Sequence, residues 1–230
     1  MGIDQIKMMT FDVVGTLIDF EQGVFDYFSA AGCQKDRTAI LTAFGIAAKK
    51  QQSETPQMPF TQMLVPIYDK LTDVLEIEPG QGAELQKSIK HWPAFPDSIE
   101  TLRRLRKKYR LVAMTNADRW GLEQMSRTLD YPFADGTTCE DAGYNKPNPQ
   151  AFAYCRGRQS VHGISLAETM HVAQSQYHDI GIAMELGYTT CWIERRQGLE
   201  GAGASPAPDA IVKPDLHFTR LSALADHLGL

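Results

Sequence analysis

The sequence predicts an α/β fold, a Rossmann-like parallel-sheet core with a helical segment inserted after its first strand. Three observations carry that expectation. Short runs apolar on both faces, such as 111–115 and 170–173, alternate with helical patterns from residue 93 onward, as βα units covered on both sides require. A first apolar run at 6–11 breaks at Asp12 and the turn signal Gly15-Thr16. Between these regions, residues 18–92 show only a 3.6-residue rhythm, which reads as a helical cap.

Taken in order, the run 6–11 is the first strand. Three helical patterns follow, on Val24, Phe28 and Ala31, on Ile40, Leu41, Phe44 and Ala47, and on Phe60 through Leu75. Pro66 should kink the third or mark its true start. Asp97-Ser98-Ile99-Glu100 reads as a capping box opening the next helix, and the strand at 111–115 comes after it. Helices at about 118–129 and 149–157, a strand at 170–173, a helix across 180–186, a strand at 188–193 and a helix across 221–228 complete the pattern. The Gly/Pro/Ala-rich stretch 197–210 reads as a loop, either a lid edge or a slack connection. The expected domains are a core of 1–17 plus 93–230 and a cap of 18–92.

Composition narrows the function. The 230 residues carry 23 Lys+Arg against 28 Asp+Glu, and this mildly acidic balance leaves no electrostatic footprint for nucleic acid or an anionic membrane. No stretch approaches the ~18 apolar residues of a membrane span, and the amino terminus lacks a signal-peptide core, so a cytoplasmic protein is expected. Cys33, Cys139, Cys155 and Cys191 are scattered without a C-x-x-C pair, which argues against disulfides and structural zinc. The six histidines form no metal-binding spacing and read as ordinary core or surface residues.

In open α/β sheets ligands bind beyond the carboxyl ends of the strands. Four such ends here carry chemistry: Asp12 with Gly15-Thr16, Thr115-Asn116, Lys146-Pro147, and Gln174 through Asp179. A carboxylate held ionised by a cation can act as a nucleophile, and Lys146 is the evident cation. Thr115 and Asn116 offer donors for an anionic group. Asp179 could position Lys146, bind a metal or assist a water. Each piece alone has an ordinary reading as a turn, cap or loop; their order and context shift the balance.

That set resembles the haloacid dehalogenase (HAD) superfamily. Asp12, Gly15, Thr16 and Leu17 match its nucleophile loop, Thr115-Asn116 its second motif, Lys146-Pro147 its third, and Asp179 the last carboxylate of its fourth. Tyr177-His178-Asp179, Cys191-Trp192-Ile193 with Arg195, and the stretch from Trp92 to Asp97 look most like the type II 2-haloacid dehalogenase branch. That branch also resembles a ring-opening hydrolase of azetidine-2-carboxylate. The resemblance implies Asp12, Lys146 and Asp179 as catalytic residues and Thr16, Thr115, Asn116, Val14, Gln174 and Gln176 as substrate-binding. It further implies a small anionic substrate, an aspartyl ester on Asp12 and no required cofactor; whether the chain forms a homodimer stays open.

Departures from the family pattern sharpen the reaction. HAD phosphatases place an acid two residues after the nucleophile, where Val14 stands and can transfer no proton. Gln174 replaces a carboxylate expected in their magnesium site. Both favour a leaving group such as halide over a phosphate ester. The arginine of the type II cap falls on Gly45 or Ile46, with Lys49 or Lys50 one turn later as a weaker substitute, and Phe152 replaces a tyrosine. Two alternatives stand: a magnesium-dependent phosphatase or phosphonatase-type enzyme using Asp12, the Val14 carbonyl and Asp179, and a non-catalytic binding protein on the same scaffold.

Overall fold

The computed structural model describes residues 3–199, 203–205 and 210–230. Six parallel strands form one sheet: β1 (Met8–Phe11), β2 (Arg110–Thr115), β3 (Asp135–Thr138), β4 (Thr169–Ala173), β5 (Thr189–Ile193) and β6 (Leu216–Phe218), in the order β3-β2-β1-β4-β5-β6. The chain steps outward from β1 to one edge and then returns to build the other. The crevice of such a sheet opens where that order reverses, between β1 and β4.

Alternation along the strands sorts the core into two layers. Met9 and Phe11 face the side covered by α5 (Ser98–Leu105), α6 (Arg119–Thr128) and α10 (Leu221–His227), packing with Leu102, Leu105, Met125, Leu221 and Leu224. Met8, Val112 and Met114 face α8 (Pro149–Ser160) and α9 (Gly181–Glu185), packing with Phe152, Cys155 and Ala183. The basic run after Leu102 is the wet face of α5 and the turn that follows, with Leu102, Leu105 and Tyr109 turned inward.

The helical insert comprises α1 (Phe20–Ala30), α2 (Arg37–Glu54), α3 (Phe60–Leu75) and α4 (Gly82–Lys87), followed by a 3₁₀ turn to His91. Its two connections to the sheet lie side by side: Ile18 and Ala94 form an antiparallel bridge, Asp19 N–H donates to Pro93 O at 2.8 Å, and Phe95 N–H to Leu17 O at 3.0 Å. We retain 17/18 and 92/93 as proposed boundaries.

Several local expectations need correction. Pro66 neither starts α3 nor ends it; the helix runs six residues before it, and the ring removes only the bond to the Gln62 carbonyl. Asp97 does not cap α5 with its side chain: one oxygen accepts from Arg195 Nη1 at 2.8 Å and the other from Ser222 N–H in the first turn of α10 at 3.1 Å. Strands β3 and β6 and the short α7 (Cys139–Ala142) carry no sequence signal strong enough to reveal them. Of the 197–210 stretch, 200–202 and 206–209 lie outside the described residues. Gly203 to Ser205 form a lid edge rather than slack chain, with Ala204 N–H bonded to Glu21 of α1 at 2.8 Å.

Candidate active site

Backbone geometry sets the nucleophile loop. Asp12 N–H donates to Val172 O at 3.1 Å, fixing Asp12 just past the end of β1 and against β4. The chain then turns tightly, with Leu17 and Ile18 N–H both returning to Val13 O at 3.0 Å. Gly15 takes φ +84°, and a Cβ there would press on the Phe20 ring at 3.2 Å and the Gln174 amide at 3.3 Å, so glycine is required twice over. Thr16 donates its hydroxyl to Asp12 Oδ2 at 2.6 Å and accepts Gln174 N–H at 2.9 Å. Behind the loop, Arg195 donates from Nε to Thr16 O at 3.0 Å and lies 4.2 Å over the Phe95 ring.

Lys146 reaches the same point from the loop before α8. Its ammonium spends all three protons: on Asp12 Oδ1 at 2.9 Å, Asp179 Oδ1 at 2.6 Å and Met114 O at 2.7 Å. Asn116 brackets its backbone, donating to Lys146 O at 2.9 Å and accepting Lys146 N–H at 2.7 Å. Asp179 sits on a π-helical turn, Gln176–Ile180, and is 1% exposed. Its Oδ1 also contacts His171 Nε2 at 3.0 Å, while its buried Oδ2 has no hydrogen-bond partner among the described residues.

Two carboxylates thus share one ammonium, and they divide it unequally. Burial opposes ionisation of Asp179, but Lys146 and His171 outweigh it and hold the carboxyl down to about 2. For Asp12 burial prevails over the pull of Lys146, the Asp179 charge adds to it, and the carboxyl is pushed above its ordinary value. Burial also works against the Lys146 charge, but the two carboxylates overcome it and raise the ammonium, which stays protonated. Asp12 is therefore the more basic carboxylate of the pair, the property a nucleophile needs.

A cavity of about 90 Å³ opens on these groups, room for a molecule of a few heavy atoms. Val14, Phe20, Phe60, Met63 and Ile67 make an apolar wall; Thr115, Asn116, Asn145, Gln174, Ser175 and Ser205 make a polar one. The cap adds Ala48 and Gln52 from α2, and Gln52 Nε2 meets His178 Nε2 at 3.0 Å. Asn145 ties the cap loop down, donating to Pro56 O at 2.9 Å and Met58 O at 2.8 Å.

A haloacid dehalogenase-like hydrolase family model matches residues 6–181, which covers β1 through the Asp179 turn. The chain belongs to this family. It is a hydrolase, and the alternative of a non-catalytic binding protein falls away. The chain is 24% identical over 210 residues to an (S)-2-haloacid dehalogenase of Burkholderia cepacia, covering 84% of this chain and 85% of that one. Solved structures share the fold. A defluorinating L-2-haloacid dehalogenase superposes with a TM-score of 0.79 at 19% identity, covering 98% of this chain and 96% of that one. The Xanthobacter autotrophicus L-2-haloacid dehalogenase with covalently bound chloropropionic acid gives 0.75 at 16%, covering 97% and 98%. A magnesium-bound HAD hydrolase of Bacillus subtilis gives 0.74 at 19%, covering 98% and 99%.

Within this hydrolase the structure gathers Asp12, Thr16, Lys146 and Asp179 into one hydrogen-bonded cluster and sets Val14, Thr115, Asn116 and Gln174 around the cavity. Gln176 lies elsewhere: its amide exchanges bonds with the Val212 backbone, at 3.2 and 3.4 Å, and does not line the cavity. Lys49 and Lys50 are exposed and do not line it either. An arginine at position 45 has no room, because a Cβ on Gly45 would stand 2.7 Å from Gly203 O; the lid edge crosses α2 there. Two histidines read as ordinary prove otherwise, since His171 contacts Asp179 and His178 lines the cavity. The spacing of the histidines among themselves could not reveal this: His171 meets Asp179 across the turn after β4, and His178 meets Gln52 of the cap 126 residues away.

Magnesium would need Asp12, the Val14 carbonyl and Asp179. The donor set fits it poorly: Lys146 bridges both carboxylates at Oδ1, and Gln174 supplies an amide where a hard cation wants a carboxylate.

Proposed function

We propose that this hydrolase cleaves the bond between carbon and a halogen, or a ring nitrogen, in a small carboxylate, with Asp12 as nucleophile, without a metal. The observation that carries the reading is the pairing of a basic, buried Asp12 with a wall that holds Val14 where a phosphatase needs an acid. Halide leaves without a proton, so the missing acid costs nothing in that reaction and much in phosphate-ester hydrolysis. The covalently bound chloropropionic acid in the Xanthobacter enzyme supports the same route.

Asp12 displaces the leaving group and becomes an ester; water then attacks its carboxyl carbon and regenerates it. Lys146 holds Asp12 in aim and balances its charge, but with its three protons spent it neither accepts a proton nor grips substrate. The substrate carboxylate is therefore held by neutral donors: the Thr115 hydroxyl, whose oxygen already accepts Ala117 N–H at 3.2 Å, the Asn116 region, and the amides of Gln174 and Gln52. The closed cap and lid edge keep bulk water from the reacting centre.

A single turnover of excess enzyme on 2-chloropropionate in ¹⁸O-water tests the route. The first product should carry unlabelled oxygen taken from Asp12, whereas label wholly in that product rules the ester out. Asp12→Asn should lower turnover by at least about three orders of magnitude, as losses of covalent nucleophiles do. Activity on azetidine-2-carboxylate alone would assign the ring-nitrogen reaction, and phosphatase activity lost in EDTA would restore the magnesium reading. We further propose a cytoplasmic setting, in keeping with four free cysteines; no helix among the described residues is long and apolar enough to cross a membrane.

A further inference from the structure

His171 is fully buried in the middle of β4, paired in register with Thr10 of β1, and packed edge-on against the Phe152 ring at 5.3 Å. A buried histidine needs partners at both nitrogens. Nε2 has Asp179 Oδ1 at 3.0 Å, and an ionised carboxylate only accepts, so Nε2 carries the proton. Nδ1 has the Thr10 hydroxyl at 2.8 Å, much closer than that hydroxyl's other acceptor, Met170 O at 3.4 Å. With Nε2 donating to Asp179, the Thr10 hydroxyl is placed to donate to Nδ1. Asp179 Oδ1 is left with two donors, His171 and Lys146, while Oδ2 is buried with none among the described residues, on a side chain that lines the cavity.

We propose that His171 is a positioning residue for the second half-reaction: with Lys146 it pins Asp179 by Oδ1, so that Oδ2 stands as the acceptor for the attacking water. The inference rests on the Asp12-ester reading. In the step, the water oxygen bonds to the Asp12 carboxyl carbon and one water proton passes to Asp179 Oδ2. The tetrahedral adduct then breaks its bond to the ester oxygen. The departing alkoxide takes the proton back from Oδ2, and the Asp12 carboxyl releases the second water proton to solvent. Lys146 cannot be the base because all three of its protons are bound to acceptors.

The experiment compares wild type, His171→Leu and His171→Gln with 2-chloropropionate and azetidine-2-carboxylate as probes, following chloride release from the first or ring opening of the second, formation of the hydroxy product and intact protein mass. In His171→Leu the first turnover should free chloride or open the ring at close to the wild-type rate, steady turnover should drop roughly 10- to 100-fold, the range lost with outer hydrogen-bond partners in metal sites, and the Asp12 adduct should appear by mass. His171→Gln, which returns an N–H near the Nε2 position, should recover part of the hydrolysis rate. Equal slowing of both phases, or steady turnover at the wild-type rate without adduct, overturns the proposal. Should His171→Leu fail to fold, Thr10→Val, which withdraws the Nδ1 partner, must show the same adduct build-up in milder form. No turnover of either probe by the wild type defeats the ester reading and this role with it, a result visible before any variant is made.

Discussion

Lys146 shows how much one side chain can be asked to hold. It is 2% exposed, and two carboxylates and a carbonyl surround its ammonium. Removing one member of a buried ion cluster leaves the others uncompensated, at a cost of about 3–5 kcal/mol. Lys146→Met should therefore unfold in urea with a loss of that order at pH 7, and Lys146→Met combined with Asp179→Asn should recover part of it, because one of the stranded charges is gone. Both should be inactive. A double variant no more stable than the single one would show that the carboxylates do not strain against each other. The members of this cluster that lie at strand ends beside turn residues, Asp12, Lys146 and Asp179, are legible in the chain. Asn145 and Arg195 are not legible in those roles, since an Asn in a loop and an Arg after a strand have many uses. Only the fold brings them to the cap loop and to the Thr16 carbonyl, and sets Arg195 over Phe95.

Elements were readable where periodicity ran long and unreadable where it was short. The helices of the insert follow their apolar stripes, but β3 is Asp135-Gly136-Thr137-Thr138, whose opening pair is turn chemistry, and β6 spans three residues at a sheet edge. Helix α2 was read as a helix, yet the reason for its glycine was hidden. Gly45 faces the lid edge, and a methyl group there would meet Gly203 O at 2.7 Å, a backbone atom that cannot swing aside. Gly157 in α8 has open space around its Cβ position. Helix propensity favours alanine at both sites by similar amounts. The outcomes should nonetheless have opposite signs: Gly157→Ala should stabilise by about 0.5–1 kcal/mol, and Gly45→Ala should destabilise by about 1–3 kcal/mol through overpacking. Thermal melts of the two variants check this, and a rise in Tm for Gly45→Ala would mean that the lid edge does not lie on α2. The same crossing leaves no room for an arginine side chain at position 45.

At the scale of the whole molecule, sheet and cap are joined over the site by polar links as well as by packing. Asn145 holds the cap loop, Glu21 takes Ala204 N–H and pairs with Arg196, and Gln52 meets His178. The last of these links makes the closed form sensitive to acid. Burial drives the His178 pKa down to about 4; the Asp179 charge opposes that and the Lys146 ammonium adds to it, from an ordinary value of 6.5 in the unfolded chain. Between those two values the unfolded chain binds the proton and the folded one does not, so stability is fully present above pH 6.5 and is lost as pH falls toward 4. Asp179 adds a second loss lower down, as pH falls from its ordinary 3.8 toward about 2. Asp12, whose carboxyl is raised, works in the other direction: folding favours its protonated form, so it softens the decline above pH 3.8. His178→Asn keeps a polar side chain facing Gln52 but cannot be protonated. Its Tm should vary less than the wild type's from pH 6.5 to 4 and match it in slope below 3.5, where Asp179 still titrates. Parallel melting curves for the two proteins across the upper window would remove His178 as the group that couples acid to the closed cap.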